Sequence, residues 1–360
     1  MSSKILDPRE EKKLQPATGL WKLYTPDKAP HRFQANTLPE ANAWQTSTRA
    51  ALGVTLGFQD LSVVDLAPEI IEMVDRGDFI REKVLLHVSE DALMPVYILK
   101  PKTGLPFYPV VIAFAGHGYG AKEIVGLWED GSERENPDGI YKDFAVALVR
   151  KGFLVAAPEI SCFGERQTDF AYLDPQLGSP IPISTCTHTA MLAFHLGGSV
   201  IGLRVQEGKR LVDYLATRPD ADLSHLGAMC LSGGGLHTFY SACMDERIQV
   251  VVISGYFSTF EKSILAMHHC ACNFVPGIGR FGEEYDLIGL IAPRPVLIEA
   301  ANRDPIFPIE AVVESVARAR QVYNVFGAAD RLETDYFEGR HQIGGRRAYH
   351  FLWEHSLHQI

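Results

Sequence analysis

Cysteine is scarce, with six in 360 residues. Cys162, Cys186, Cys230, Cys243, Cys270 and Cys272 show none of the dense spacing of a small disulfide scaffold. Positive charge is also in short supply: 34 Lys and Arg stand against 44 Asp and Glu, a net charge of −10, and no Lys/Arg-rich run interrupts the chain. Nucleic acid and anionic membrane surfaces are held by basic patches, so neither is an expected partner. The first sixteen residues lack the apolar core of a secretory leader and carry Lys4, Asp7, Arg9, Glu10, Glu11, Lys12 and Lys13 instead. Reduced thiols in a cytoplasmic protein are the expectation. One stretch, residues 175–203, has no charged side chain and is long enough to span a bilayer. Its Pro180, Pro182, Ser184, Thr185, Thr187, His188, Thr189 and His195 make it buried interior instead. What remains is ordinary globular composition, 46% hydrophobic and 22% charged, which excludes disorder, collagen and coiled coil for the bulk of the chain.

The first eighty residues differ from the rest. Pro-punctuated turns and two helix-like segments, 41–52 and 68–75, fill them, and nothing alternates like a strand. From Lys83 onward, short β-branched runs follow one another at 84–88, 94–99, 110–115, 153–157, 226–231, 250–253, 296–300 and 332–337. The second and third are joined through Lys102-Thr103-Gly104, a hairpin-like connection, and the later ones are far enough apart for crossover helices. Helical candidates are 141–151, 200–216, 235–244, 309–326 and 348–355. In the second of these, Ile201, Val205, Leu211, Val212 and Leu215 recur at helical spacing. The pattern predicts an α/β fold: a mostly parallel eight-stranded sheet flanked by helices, with residues 1–80 as a helical N-terminal extension and 81–360 as the catalytic domain.

The fifth run ends in Cys230-Leu231-Ser232-Gly233-Gly234-Gly235, and a helix-like segment follows. Strand, sharp serine-bearing turn and helix are the context of a nucleophile elbow. So tight a turn needs small residues two before and two after the serine. Gly234 meets the second need, while Cys230 replaces the usual glycine at the first. The bland alternative is a Gly-rich turn with a bystander serine. A phosphate loop is disfavoured because the Lys-Ser/Thr ending is absent. Cys230 itself should point into the sheet and serve packing.

A serine hydroxyl needs a base within reach, itself oriented by a third group. Asp304, in Asn302-Arg303-Asp304-Pro305-Ile306-Phe307-Pro308, follows the seventh run, and His341, in Glu338-Gly339-Arg340-His341, follows the eighth. Sites in parallel sheets form at such strand ends. Asp304 lies 72 residues after Ser232 and His341 37 after Asp304, the order Ser, Asp, His. Asp304 could instead cap a helix before Pro305, and His341 could be a surface loop residue. Among competing histidines, His237 follows Ser232 by five residues and should point away, while His350, His355 and His358 belong to the last helix and its tail. The third run enters Gly116-His117-Gly118-Tyr119-Gly120, whose glycines let backbone approach a substrate. An oxyanion would be held by the Gly233 N–H and a second N–H from His117 or Gly118.

These motifs resemble those of the α/β-hydrolase superfamily, in its dienelactone-hydrolase and acetyl-xylan-esterase-like branch of serine hydrolases. Besides the elbow, the Asp and His segments and Gly116-His117-Gly118-Tyr119-Gly120, the match includes Glu159-Ile160-Ser161-Cys162-Phe163-Gly164-Glu165-Arg166 and Ile291-Ala292-Pro293-Arg294-Pro295. It covers roughly residues 80–357. The resemblance implies carboxylic-ester hydrolysis, with Ser232 as nucleophile, His341 as general base and Asp304 as its orienting partner. Dienelactone hydrolases use a cysteine nucleophile, so Ser232 implies the serine-esterase side. Acetyl-xylan esterases of this kind are often exported, and the charged N-terminus makes a small-molecule ester the expected partner.

No metal or organic cofactor is required by this chemistry. Pocket walls are expected from residues 162–172, 183–195 and 256–276, with Tyr119, Glu165, Arg166 and His269 as candidate substrate contacts. Glu165 and Arg166 could equally pair with each other at the rim, and His268 and His269 could be satisfied buried histidines. Cys270-Ala271-Cys272, after His268-His269, lacks the second cysteine pair of a structural zinc site, so no metal is expected there. A thioesterase, lactonase or amidase would use the same residues, and a catalytically silent binding protein would keep the fold alone. Homo-oligomer formation through residues 1–78 stays open.

Overall fold

Apolar runs too short for a helix become strands, and the longer periodic segments pack onto them. The computed structural model describes residues 8–61, 63–168 and 185–356. Its helices are α1 (Pro8–Lys13), α2 (Pro16–Trp21), α3 (Leu38–Leu56), α4 (Phe144–Arg150), α5 (Thr185–His195), α6 (Val200–Thr217), α7 (Gly233–Met244), α8 (Glu284–Leu287), α9 (Ile309–Val325) and α10 (Ala348–Ser356). Its strands are β1 (Glu69–Asp75), β2 (Phe79–Ser89), β3 (Ala92–Pro101), β4 (Tyr108–Phe114), β5 (Leu154–Pro158), β6 (Ala221–Cys230), β7 (Val250–Ser254), β8 (Val296–Ala301) and β9 (Leu332–Phe337). They form one sheet in the order β1-β2-β3-β5-β4-β6-β7-β8-β9. The first four in that order pair antiparallel, and from β5 onward every pairing is parallel.

The near-continuous apolar strands have a physical cause. On β4, Val110, Ile112 and Phe114 enter one core cluster while Val111 and Ala113 enter the other. β6 does the same with Leu226, Ala228 and Cys230 against Met229, and Leu231 just after it follows Met229. Side chains alternate across a strand, so a sheet covered on both faces must be apolar at every position. Helices α3, α5, α6, α7 and α9 cover the first face, and α4 and α10 the second.

Two expectations are corrected. Residues 68–75 are not helical: Glu69–Asp75 is β1, antiparallel to β2, which makes nine strands among the described residues. Ile70, Ile71 and Met73 on this edge strand are all exposed. No face is buried, so no alternation was written into the sequence. The second and third runs are likewise not neighbours. β3 turns back on β2 near Ser89 and Ala92, and β5 lies between β3 and β4. Skipping one strand means crossing roughly 10 Å, which a six-residue link such as 102–107 spans easily at about 3.3 Å per residue.

The N-terminal segment is built into this core. Leu52 and Leu56 of α3 join the first cluster. Arg49 donates to the carbonyls of Cys243 and Leu290 at 2.9 and 3.0 Å, and Gln45 to those of Gly289 and Ala292 at 2.7 and 2.6 Å. β1 and the start of β2 lie before residue 81, so the sheet itself crosses the expected boundary. Among the described residues, no helix is long and apolar enough to cross a membrane.

Candidate active site

β6 ends at Cys230 and α7 begins at Gly233, which leaves Leu231 and Ser232 to redirect the chain. Ser232 is held at φ 59°, ψ −121°, a conformation that costs a non-glycine residue about 1–3 kcal/mol. Its N–H donates to the Ser254 carbonyl at 3.1 Å, and the Gly234 N–H to that of Leu231 at 2.9 Å. Any Cβ at Gly234 would collide with the Phe114 carbonyl. Cys230 is accommodated because its thiol runs into the sheet and donates to the Val252 carbonyl at 3.2 Å, fully buried. The turn thus keeps its shape without the usual glycine.

The loops after β8 and β9 deliver the other two groups. The Nδ1–H of His341 donates to Oδ2 of Asp304 at 2.7 Å. Oδ1 of Asp304 accepts the backbone N–H groups of Ile306 and Phe307 at 2.8 and 3.2 Å. Asp304 is therefore both the turn-capping residue and the partner of the histidine, one oxygen for each task. With its proton on Nδ1, a neutral imidazole carries a free lone pair on Nε2. That atom is buried and has no hydrogen-bond partner among the described residues. Phe307 stacks on the ring at 5.9 Å and 20°, which limits its rotation. His237 sits elsewhere, with Nε2 against the Arg204 carbonyl at 2.9 Å, and burial pulls its pKa down to about 3.

Two buried acids tie these loops down, and the sequence reading gave neither a role. Glu299 on β8 accepts the N–H groups of Gly344 and Gly345 at 2.8 and 2.7 Å and the Ser254 hydroxyl at 2.9 Å. It holds the loop of His341 against the strand that follows the elbow. A glutamate inside the apolar run Val296-Leu297-Ile298-Glu299-Ala300-Ala301 was the available signal. Glu159, at the end of β5, accepts the Ala121 N–H at 3.1 Å, and burial pushes its pKa up to about 8.

Ser232 and His341 share a cleft of about 340 Å³ with His117, Gly233, His268, His269, Ile306 and Phe307 among its walls. His117 and Gly233 approach so closely that a Cβ on Gly233 would lie 2.7 Å from the His117 ring and 3.4 Å from its backbone nitrogen. His269 reaches the cleft as expected, and so does part of 256–276, through Met267, Cys270 and Asn273.

Other expected contacts lie elsewhere. Gly118 and Tyr119 are not in the cleft wall. The Tyr119 hydroxyl donates to the Leu127 carbonyl at 3.2 Å and accepts from Arg134 at 2.6 Å. Glu165 pairs with Lys83 at 2.6 Å and Arg166 with buried Glu207 at 2.5 Å, not with each other and not in the cleft. A guanidinium with a partly desolvated carboxylate at hand gains more there than at a wet rim. Of the two other expected wall segments, 169–172 and 183–184 lie outside the described residues, as does His358, while 162–168 and α5 do not line the cleft. The wall does contain metal-ligand types, His117 and Cys270, and their ligand atoms lie within 4.8 Å of each other and of that of the buried Cys272.

No family model matches the chain. The Bacillus subtilis (strain 168) protein named "Putative hydrolase YtaP" is 25% identical over 275 residues, 74% of this chain and 83% of its own. A "putative acetyl xylan esterase" of Bacteroides fragilis superposes with a TM-score of 0.73 at 15% identity, over 94% of this chain and 89% of that one. A glucuronoyl esterase from Solibacter usitatus gives 0.64 at 14% identity, over 93% of this chain and 100% of its own.

Proposed function

We propose that this chain, which has the α/β-hydrolase fold, is a serine hydrolase cleaving carboxylic esters, with small acyl groups preferred. The observation that carries the reading is His341, tied through Nδ1 to Asp304 at 2.7 Å while its unpartnered Nε2 shares a cleft with a conformationally strained serine. The hydrolase name of the sequence relative and the esterase names of the structural neighbours agree with it.

In the first step Ser232 Oγ attacks the ester carbonyl and its proton passes to His341 Nε2. Asp304 stabilises the imidazolium, and the N–H groups of Gly233 and His117 hold the oxyanion. Collapse expels the alcohol, which takes the proton from His341. Water then attacks the acyl-enzyme through the same base and releases the acid. Helix α7 begins at Gly233, and its N-terminal dipole favours negative charge at that point. A volume of about 340 Å³ is near the lower end for ligand pockets, which favours a small acyl group. The six cysteines are all free, in keeping with a reducing compartment such as the cytoplasm.

A fluorophosphonate probe followed by peptide mass spectrometry tests the assignment. Labelling should fall on Ser232 and vanish in Ser232→Ala and His341→Ala. A folded chain left unlabelled, or labelled at another serine, refutes it. A panel of acyl donors then ranks esters against thioesters, lactones and amides, which the same residues would serve.

A further inference from the structure

Cysteines gather beside the part of the cleft wall formed by His117 and Cys270. Cys270-Ala271-Cys272 lacks a second cysteine pair nearby in sequence, but the fold supplies one. The thiol of Cys186, at the start of α5, interacts electrostatically with those of Cys162, Cys270 and Cys272, and stands outside the tighter group of His117, Cys270 and Cys272. Across the group, His117 Nε2 lies 3.3 Å from the Cys272 sulfur. Four chain segments converge on one point.

Behind them stands Arg204 of α6, which is completely buried. One terminal nitrogen donates to the Ser161 carbonyl at 2.8 Å. Its Nε and Nη1 have no hydrogen-bond partner among the described residues. The strongest charge interactions of its guanidinium are with the thiols of Cys272, Cys186, Cys162 and Cys270. A buried cation without a counter-charge is strongly unfavourable. Neutral thiols do not compensate it, and a disulfide would remove the thiolates that can.

We propose that Cys186, Cys270, Cys272 and His117 bind a thiophilic divalent cation of the zinc type, with Arg204 as the neighbouring counter-charge. Three thiolates, a neutral imidazole and a divalent ion sum to −1, which Arg204 balances. Bonds of about 2.3 Å to sulfur and about 2.0 Å to nitrogen set tetrahedral ligand atoms roughly 3.5–3.8 Å apart, so the His117, Cys270 and Cys272 atoms, within 4.8 Å of one another, need only small inward shifts, while Cys186, outside that group, has to close on them as the ion binds. Binding releases the thiol protons. Four protein ligands leave no open position, so the ion is structural: it clamps the loop after β7 to α5 and to the loop carrying His117. This goes beyond ester hydrolysis and does not depend on it.

The test uses the full-length chain, reduced, stripped with a chelator and titrated with cobalt(II) alone and then zinc(II) alone. One equivalent of cobalt should give a thiolate-to-metal charge-transfer band and tetrahedral visible bands, both lost as zinc displaces it. Cys272→Ser should weaken cobalt binding at least about tenfold, its fold checked by circular dichroism. The wild-type titration decides independently of that variant. The proposal is overturned by no stoichiometric uptake in the folded reduced chain, by uptake without the charge-transfer band, or by wild-type affinity in folded Cys272→Ser. Four rather than six titratable thiols in the denatured, unreduced chain would also overturn it, because they would mark a disulfide.

Discussion

The two walls of the cleft are built on different rules. On one, Ser232, Asp304 and His341 each follow the C-terminal end of a parallel strand, and each is oriented by bonds made within a few residues or to a neighbouring strand. The other presents His117, of the loop after β4, and Cys270, of the loop after β7, with Cys272 of the same loop and Cys186 of α5 outside the cleft lining. The first wall is strained and polar, and His341 Nε2 is buried there without a hydrogen-bond partner among the described residues. The second carries one cysteine, with more thiols and the buried Arg204 beside it. The proposed reactivity sits where local backbone geometry does the aiming, and the proposed clamp where distant segments have to be joined.

The sharpest way to break this division is to remove the proposed nucleophile. Ser232→Ala should lower kcat for a short-chain ester by about 10⁴-fold or more, with an unchanged far-ultraviolet spectrum. Asp304→Asn should follow at about 10⁴-fold, because the amide favours the wrong imidazole tautomer. Equal activity in that variant would mean that His341 is held by something other than the carboxylate. Glu299→Gln loosens the His341 loop without touching substrate, and a drop of roughly 10²-fold in kcat with little change in KM is expected. Cys272→Ser should have a smaller effect, about tenfold or less in kcat, since it acts on the oxyanion side only through His117. The double variant with Glu299→Gln should be multiplicative if the walls are independent; strong coupling would merge them.

The smallest effect concerns pH. Burial raises the Glu159 pKa from the ordinary 4.5 to about 8. Folding therefore takes up a proton there between those values, so its contribution to stability is complete below pH 4.5 and is lost as pH rises through about 8. Hydrogen exchange at residues 115–121, corrected for intrinsic rates, should accelerate from pH 7 to 9 more than at the elbow. Glu159→Gln should remove the difference.

Much of the site was legible in the sequence because its rules are local. A turn as tight as the one at Ser232 demands Gly234, and a carboxylate that caps its own turn must stand just before Ile306 and Phe307. Glu165 and Arg166 were misplaced because their partners, Lys83 and Glu207, lie 82 and 41 residues away. β1 was missed because an exposed edge strand has no buried face to impose alternation.

By itself, then, the chain determined a mostly parallel α/β sheet, a tight serine turn after β6, and the loops of Asp304 and His341 after β8 and β9. These follow from backbone sterics and from apolar burial repeated every second or every third to fourth residue. Only the tertiary structure decided that β5 separates β3 from β4, that Glu299 anchors the histidine loop, and that four thiols gather beside Arg204. Those contacts join segments tens to hundreds of residues apart, where no short-range pattern records which side chains will meet.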